Sequence, residues 1–201
     1  MISGSGKTVP EDTGTYPKSA LVTTDTEIES QRMVDYLCSC GHKRIAFITS
    51  GDEGLGRCHL NGYKRSLEKN GLEYDEKLII RLKPGKRIYT IENGYNCTCE
   101  LLKSGVDFSC IYAISDTLAV GACRAVIDSG KRVPEDYCVA GADGQDIAEY
   151  YHPSITTLKY PRVETALQSV RTLFDLIDRK KVVKRQILGG TLIERESTRK
   201  L

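Results

Sequence analysis

Three polar residues stand directly behind short apolar runs, where they could meet a small molecule. Ser115 and Asp116 follow Cys-Ile-Tyr-Ala-Ile, and Asp143 follows Tyr-Cys-Val-Ala-Gly-Ala. A carboxylate in such a place can accept two hydroxyl or N–H donors from a polyol or a base, and a serine hydroxyl can both donate and accept. Each residue also has a purely structural reading. Asp116 opens a helical repeat and reads first as its cap, and Ser115 is open between the two roles. Asp143 lies in a glycine-flanked turn with no helix evident behind it and reads as a recognition residue.

Other chemistry finds little footing. The eight cysteines include Cys38 with Cys40 and Cys97 with Cys99, one residue apart where a zinc knuckle needs two, so no metal site is expected. Cys110, Cys123 and Cys138 sit inside apolar runs as small hydrophobes, which points to free thiols and a reducing cytoplasm. No charged-then-apolar export segment opens the chain. The string Gly-Ser-Gly-Lys-Thr at residues 4–8 lacks the leading glycine and buried strand of a phosphate loop. Gly51, Gly54 and Gly56 are misspaced for a dinucleotide fingerprint. Of the three histidines, His42 falls in a helix-stop turn and His152 precedes Pro153, both structural places, and no nucleophile and base pair up. No catalytic residue, metal or cofactor is expected.

The bulk composition narrows the class. A chain of 201 residues can bury ~70% of its unfolded surface, enough for one sizeable domain or two small lobes. At 40% hydrophobic and 28% charged residues it is neither disordered nor membrane-spanning, since no apolar run approaches the ~18 residues of a span. The net charge is +2, with Lys and Arg scattered among Asp and Glu, so no basic stripe offers itself to nucleic acid.

The elements that would position the polar residues follow from periodicity. Cys110–Ser115 reads as a buried strand, and Leu118, Ala122, Cys123, Val126 and Ile127 repeat at helical spacing until Gly130. Pro134 blocks continuation, and Tyr137–Ala140 reads as a second buried strand. Such a crossover forces parallel strands, which brings Ser115, Asp116 and Asp143 to one rim, where open α/β sheets bind ligands. Around it, strands are predicted at 20–24, 44–49, 78–82 and 182–188, and helices at 26–40, 58–70, 90–103 and 162–179. This alternation specifies an α/β fold with a doubly wound parallel sheet.

The run Ile-Ser-Asp-Thr-Leu-Ala-Val-Gly-Ala-Cys-Arg-Ala-Val-Ile-Asp-Ser-Gly-Lys-Arg-Val-Pro-Glu-Asp-Tyr-Cys-Val-Ala-Gly-Ala-Asp resembles the effector-binding core of the LacI/GalR transcription regulators. Gly-His-Lys-Arg-Ile-Ala-Phe-Ile-Thr, Thr-Thr-Leu and the closing Leu-Ile-Glu-Arg-Glu-Ser-Thr-Arg extend the resemblance over about residues 19–200. It implies a periplasmic-binding-protein-like type I fold with a complete C-terminal lobe and a truncated N-terminal lobe. The expected division is residues 1–41 as a remnant of the N-terminal lobe and 42–155 as the C-terminal lobe. Residues 156–183 would be the crossing and a return helix packing on the N-terminal lobe, and 184–201 the last strands of the C-terminal lobe. On this reading the chain is a fragment or truncated product, without the helix-turn-helix through which the family meets operator DNA, and residues 1–30 are expected to be mobile.

The resemblance also implies a small-molecule effector, a sugar or nucleobase, and a homodimer with no membrane partner. Ser115 and Asp143 would be joined in the effector site by His59, Tyr89 and Tyr160. His59 stands where the family keeps an arginine, and is either a ligand contact or an exposed first-turn residue. If it touches ligand, binding should vary with pH between about 5.5 and 7.5. Tyr89 falls where the family often stacks an aromatic on the effector, and otherwise packs on a helix start. Val120 and Tyr151 match positions facing the partner subunit. The alternative of this fold is a transport-type sugar-binding protein, which the free thiols and the Glu-Arg-Glu-Ser-Thr-Arg ending count against.

Overall fold

The computed structural model describes residues 19–83, 85 and 87–201. The Gly-Ser-Gly-Lys-Thr string and the expected mobility of the first residues lie, up to residue 18, outside them. In chain order the elements are β1 (Leu21–Thr23), α1 (Thr26–Ser39), β2 (Ile45–Thr49), α2 (Gly54–Lys69), β3 (Ile79–Arg81), α3 (Ile91–Lys103) and β4 (Cys110–Ala113). There follow α4 (Asp116–Asp128), β5 (Cys138–Asp143), α5 (Asp146–Tyr150), β6 (Thr156–Lys159), α6 (Arg162–Ile177), β7 (Arg185–Ile187) and β8 (Thr191–Ile193).

Six strands form one sheet in the order β3-β2-β4-β5-β6-β8, and β1 pairs with β7 in a second, two-stranded sheet. Every pairing is parallel except that of β8 with β6. Buried on both faces, β2, β4 and β5 read as continuous apolar runs rather than alternating ones. Phe47 on β2 is the centre of that core, stacked on Tyr63 of α2 at 4.9 Å and on Tyr112 of β4 at 5.2 Å. Each such aromatic pair adds ~0.5–1.5 kcal/mol beyond its buried area, and the Tyr63 hydroxyl ends its path by donating to the Ile45 carbonyl at 2.8 Å. The closing segment is stitched to the same sheet. The Ser197 hydroxyl donates to the Val139 carbonyl at 2.6 Å, and its oxygen accepts the Thr156 amide at 2.8 Å.

Four expectations change. The boundary after residue 41 cuts a packed unit, because α1 lies along α2 and its Met33, Val34 and Leu37 are fully buried in the larger core. The apolar positions of α1 need a sheet face, and the six-stranded sheet supplies it. Residues 185–187 do not join the larger sheet but pair with β1, so the chain leaves the six-stranded sheet after β6 and re-enters it only at β8. The helix predicted from Cys58 begins at Gly54, without a side-chain cap. Val120 is 3% exposed and part of the core, so it has no surface to offer a partner.

The burial of Val120 follows from close helix packing. A Cβ on Gly121 would fall on the Ile91 carbonyl, and one on Gly94 on the Leu118 carbonyl, so reciprocal glycines let α3 and α4 approach backbone to backbone. Tyr151, just behind α5, stays partly exposed while packing against the core. A different apolar surface is open: Val163, Leu167, Val170, Phe174 and Ile177 run along one side of α6, between 50% and 68% exposed.

Candidate functional site

Because β4, β5 and β6 are parallel neighbours, their carboxyl ends place Ser115, Asp143 and Tyr160 along one rim, with Asp143 directly opposite Lys159. Asp143 is bound into this rim at some cost. Its φ of 109° lies where L side chains rarely sit, and such residues typically store ~1–3 kcal/mol. The carboxylate accepts the Gln145 side-chain amide at 3.0 Å and pairs with Arg162 at 3.3 Å. Burial raises its pKa, and Gln145 and Arg162 offset part of that rise. Beside it opens a cavity of about 500 Å³ lined by Asp143, Lys159, Tyr160, Arg162, Glu164 and Thr191, among others. That volume suits a small ligand such as a saccharide.

Asp116 corrects its own expectation. It does not cap α4; Ser115 holds the N-cap position, with no side-chain cap bond. The Asp116 carboxylate instead crosses to the next strands, accepting the Gln145 amide and the Thr157 hydroxyl, each at 2.6 Å. It is fully buried, and burial pushes its pKa up to about 6 against those two donors. Gly141 makes the approach possible, since a Cβ there would strike Asp116 Oδ1. Asp116 is therefore the brace that holds the Asp143–Gln145 turn in place.

Hydroxyls complete the rim. The oxygens of Ser115 and Tyr160 are buried without a hydrogen-bond partner among the described residues, a costly state for polar atoms unless something polar meets them, while the Tyr112 phenol, inside the core, lies beside Ser30. Burial raises the pKa of both the Tyr112 and Tyr160 phenols, with smaller upward contributions from Asp143, Glu29 and Asp116. Hydroxyls that donate and accept, beside a fixed carboxylate that accepts, are a set complementary to a neutral polyol.

Of the five expected site residues, Asp143 and Tyr160 line the cavity, Ser115 stands on the same rim outside its lining, and His59 and Tyr89 join neither. His59 is buried in α2, where its carbonyl accepts the Ser30 hydroxyl of α1 at 2.8 Å. Burial lowers its imidazole pKa to about 4, so it stays neutral across the window in which pH-dependent binding was expected. Neither an exposed first-turn residue nor a lining residue of the cavity, it belongs to the interior. Tyr89 is 43% exposed on the approach to α3 and does not line the cavity either. Nothing in the sequence marks Tyr112, which reads as one more apolar strand position, or Arg162, which reads as an ordinary helix start. The Tyr-Pro-Arg triplet behind Thr-Thr-Leu is the signal that could have drawn attention to Arg162. Among the described residues no cluster of His, Cys, Asp and Glu could hold a metal, and no helix is long and apolar enough to cross a membrane.

The comparisons with known proteins bear on the family and the fold. Residues 34–198 match the model of the periplasmic binding protein-like domain. The HTH-type transcriptional regulator MalR of Clostridium butyricum is 41% identical over 146 residues, 73% of this chain and 42% of that protein. Among solved structures, a sugar-binding LacI-family regulator from Escherichia coli complexed with phosphate superposes with a TM-score of 0.83 at 31% identity, covering 90% of this chain and 64% of that one. The transcriptional regulator CelR in complex with cellobiose superposes with a TM-score of 0.79 at 30% identity, covering 90% and 54%. The chain spans about half the length of the curated relatives it matches.

Proposed function

Since this chain belongs to the periplasmic binding protein-like family, as the effector-binding part of a LacI-type regulator, we propose that it binds a small neutral saccharide and passes the binding event to a DNA-binding domain. The observation that carries the reading is Asp143, held at a φ of 109° on the same rim as the unpartnered buried hydroxyls of Ser115 and Tyr160. Strain of that kind is retained where a side chain must be aimed. The names of the relatives, regulators all, favour this over a transport-type binding protein, and the family is a regulatory one rather than an enzymatic one.

On this reading the C-terminal lobe is the six-stranded sheet with α1 to α5, and the two-stranded sheet with α6 is the part of the N-terminal lobe present here. The effector would lie between them, against Ser115, Asp143 and Tyr160. His59 and Tyr89 have no part in this site. Homodimerisation through a face that includes Tyr151, operator contact through a separate domain, and residence in the cytoplasm belong to the same proposal. A thermal-shift and calorimetric screen of the 201-residue chain against cellobiose, maltose, ribose and adenosine tests it. A ligand at 100 times its Kd stabilises by ~2.7 kcal/mol, so a clear rise in Tm with at least one saccharide is expected. No shift with any of them, up to tens of millimolar, would remove the reading.

A further inference from the structure

Arg162 stands in an unfavourable place for its own helix. It is the first residue of α6, behind an N-cap proline that offers no side-chain cap, where unsatisfied N–H groups already carry partial positive charge. The Asp143 carboxylate 3.3 Å away offsets that repulsion. The two partners belong to different units. Asp143 ends β5 of the six-stranded sheet, while α6 packs on β1 of the two-stranded sheet, so the ion pair ties one to the other beside the crossing at Tyr160 and Pro161. Exposure is unequal as well: 62% for the Arg162 side chain against 24% for Asp143. The guanidinium is thus the solvent-side member, lying over the carboxylate in the cavity wall.

The other Asp143 oxygen accepts the Gln145 side-chain amide at 3.0 Å, and the Gln145 backbone N–H is held by Asp116 at 2.6 Å. Asp143 can therefore lose Arg162 and keep its aim. A neutral ligand gains no charge–charge term from the guanidinium, and it must compete with that group for the Asp143 oxygen that Arg162 pairs with. Resting on the saccharide-site reading above, we propose that Arg162 is a gate. It occupies Asp143 in the unliganded chain, a neutral polyol displaces it, and its departure frees the first turn of α6 to shift against the six-stranded sheet.

The test uses the 201-residue chain and its Arg162→Met and Asp143→Asn variants. Without ligand, amide exchange over residues 162–166 should quicken about two- to fivefold in both variants, the size expected for loss of a partly exposed ion pair, while β4 and α4 keep their protection. In calorimetry, Arg162→Met should bind the saccharide found for the parent about two- to fivefold tighter. Unchanged exchange in Arg162→Met overturns the gate, as does weaker binding, which would make Arg162 a ligand contact. Equal saccharide affinity in parent and Arg162→Met leaves the saccharide site standing and removes the gate. If neither protein binds any saccharide, the site reading fails and the gate with it, and quickened exchange would then report only a structural tie.

Discussion

At the scale of single residues, Asp143 and His59 make opposite kinds of claim. Asp143 is half of an ion pair and the acceptor of an amide, and removing a charged hydrogen bond to a ligand costs ~1.5–3 kcal/mol. Asp143→Ala is expected to weaken saccharide binding at least about tenfold with an unchanged circular dichroism spectrum. His59 is a stability group. Its folded pKa of about 4 lies below the ordinary value of ~6.5, so the unfolded chain takes up its proton first. The contribution is full above pH ~6.5 and is lost as pH falls through about 4, up to ~3 kcal/mol in all. Asp116 works the other way, because its raised pKa of about 6 favours the fold once it is protonated and loses that contribution as pH rises through 6. Urea titrations from pH 7 to 4 should find His59→Leu losing less stability on acidification than the parent. An equal loss in both would show that His59 is not held neutral.

Among the elements, the α3–α4 contact decides what Val120 can do. With Gly94 and Gly121 against the opposite backbones and Val120 3% exposed, an aspartate at 120 would be a buried charge without a counter-ion, a change that costs several kcal/mol. Val120→Asp is therefore expected to unfold the chain or cut its Tm sharply. Scanning calorimetry beside sedimentation separates this from dissociation of a folded dimer, in which Tm would fall little. Gly121→Ala should also destabilise, by about 1–3 kcal/mol, since the clashing atom is backbone and cannot rotate away.

For the molecule as a whole, the open side of α6 and the even charge matter most. Five large apolar residues exposed along one helix exceed what an isolated soluble surface usually leaves uncovered. Concentration-dependent self-association is expected, and replacing Leu167 and Phe174 by Glu should reduce it in sedimentation. The net charge of +2 and the mixing of signs argue that these 201 residues do not themselves select a DNA sequence. A gel shift at physiological salt should show no preference between random and palindromic duplexes, and sequence-selective retardation would overturn that statement.

The alternation of buried runs with helical repeats, and the crossover from Cys110 to Asp143, by themselves determined a parallel α/β sheet and put Ser115 and Asp143 at one rim. Period and turn chemistry are local, so the chain carries them openly. Asp143 was legible as a candidate because glycines flank its turn; that a short helix starts three residues on, and that its carboxylate meets Gln145 and Arg162, was not. Partner choice is not local. That Asp116 reaches Thr157 and not its own helix, that β7 joins β1, that Val120 and His59 are interior, and that Arg162 rests on Asp143 all depend on which elements lie side by side. Contacts between residues tens of positions apart leave no periodicity in the chain, and only the packed sheet, with glycines admitting the closest approaches, decides them.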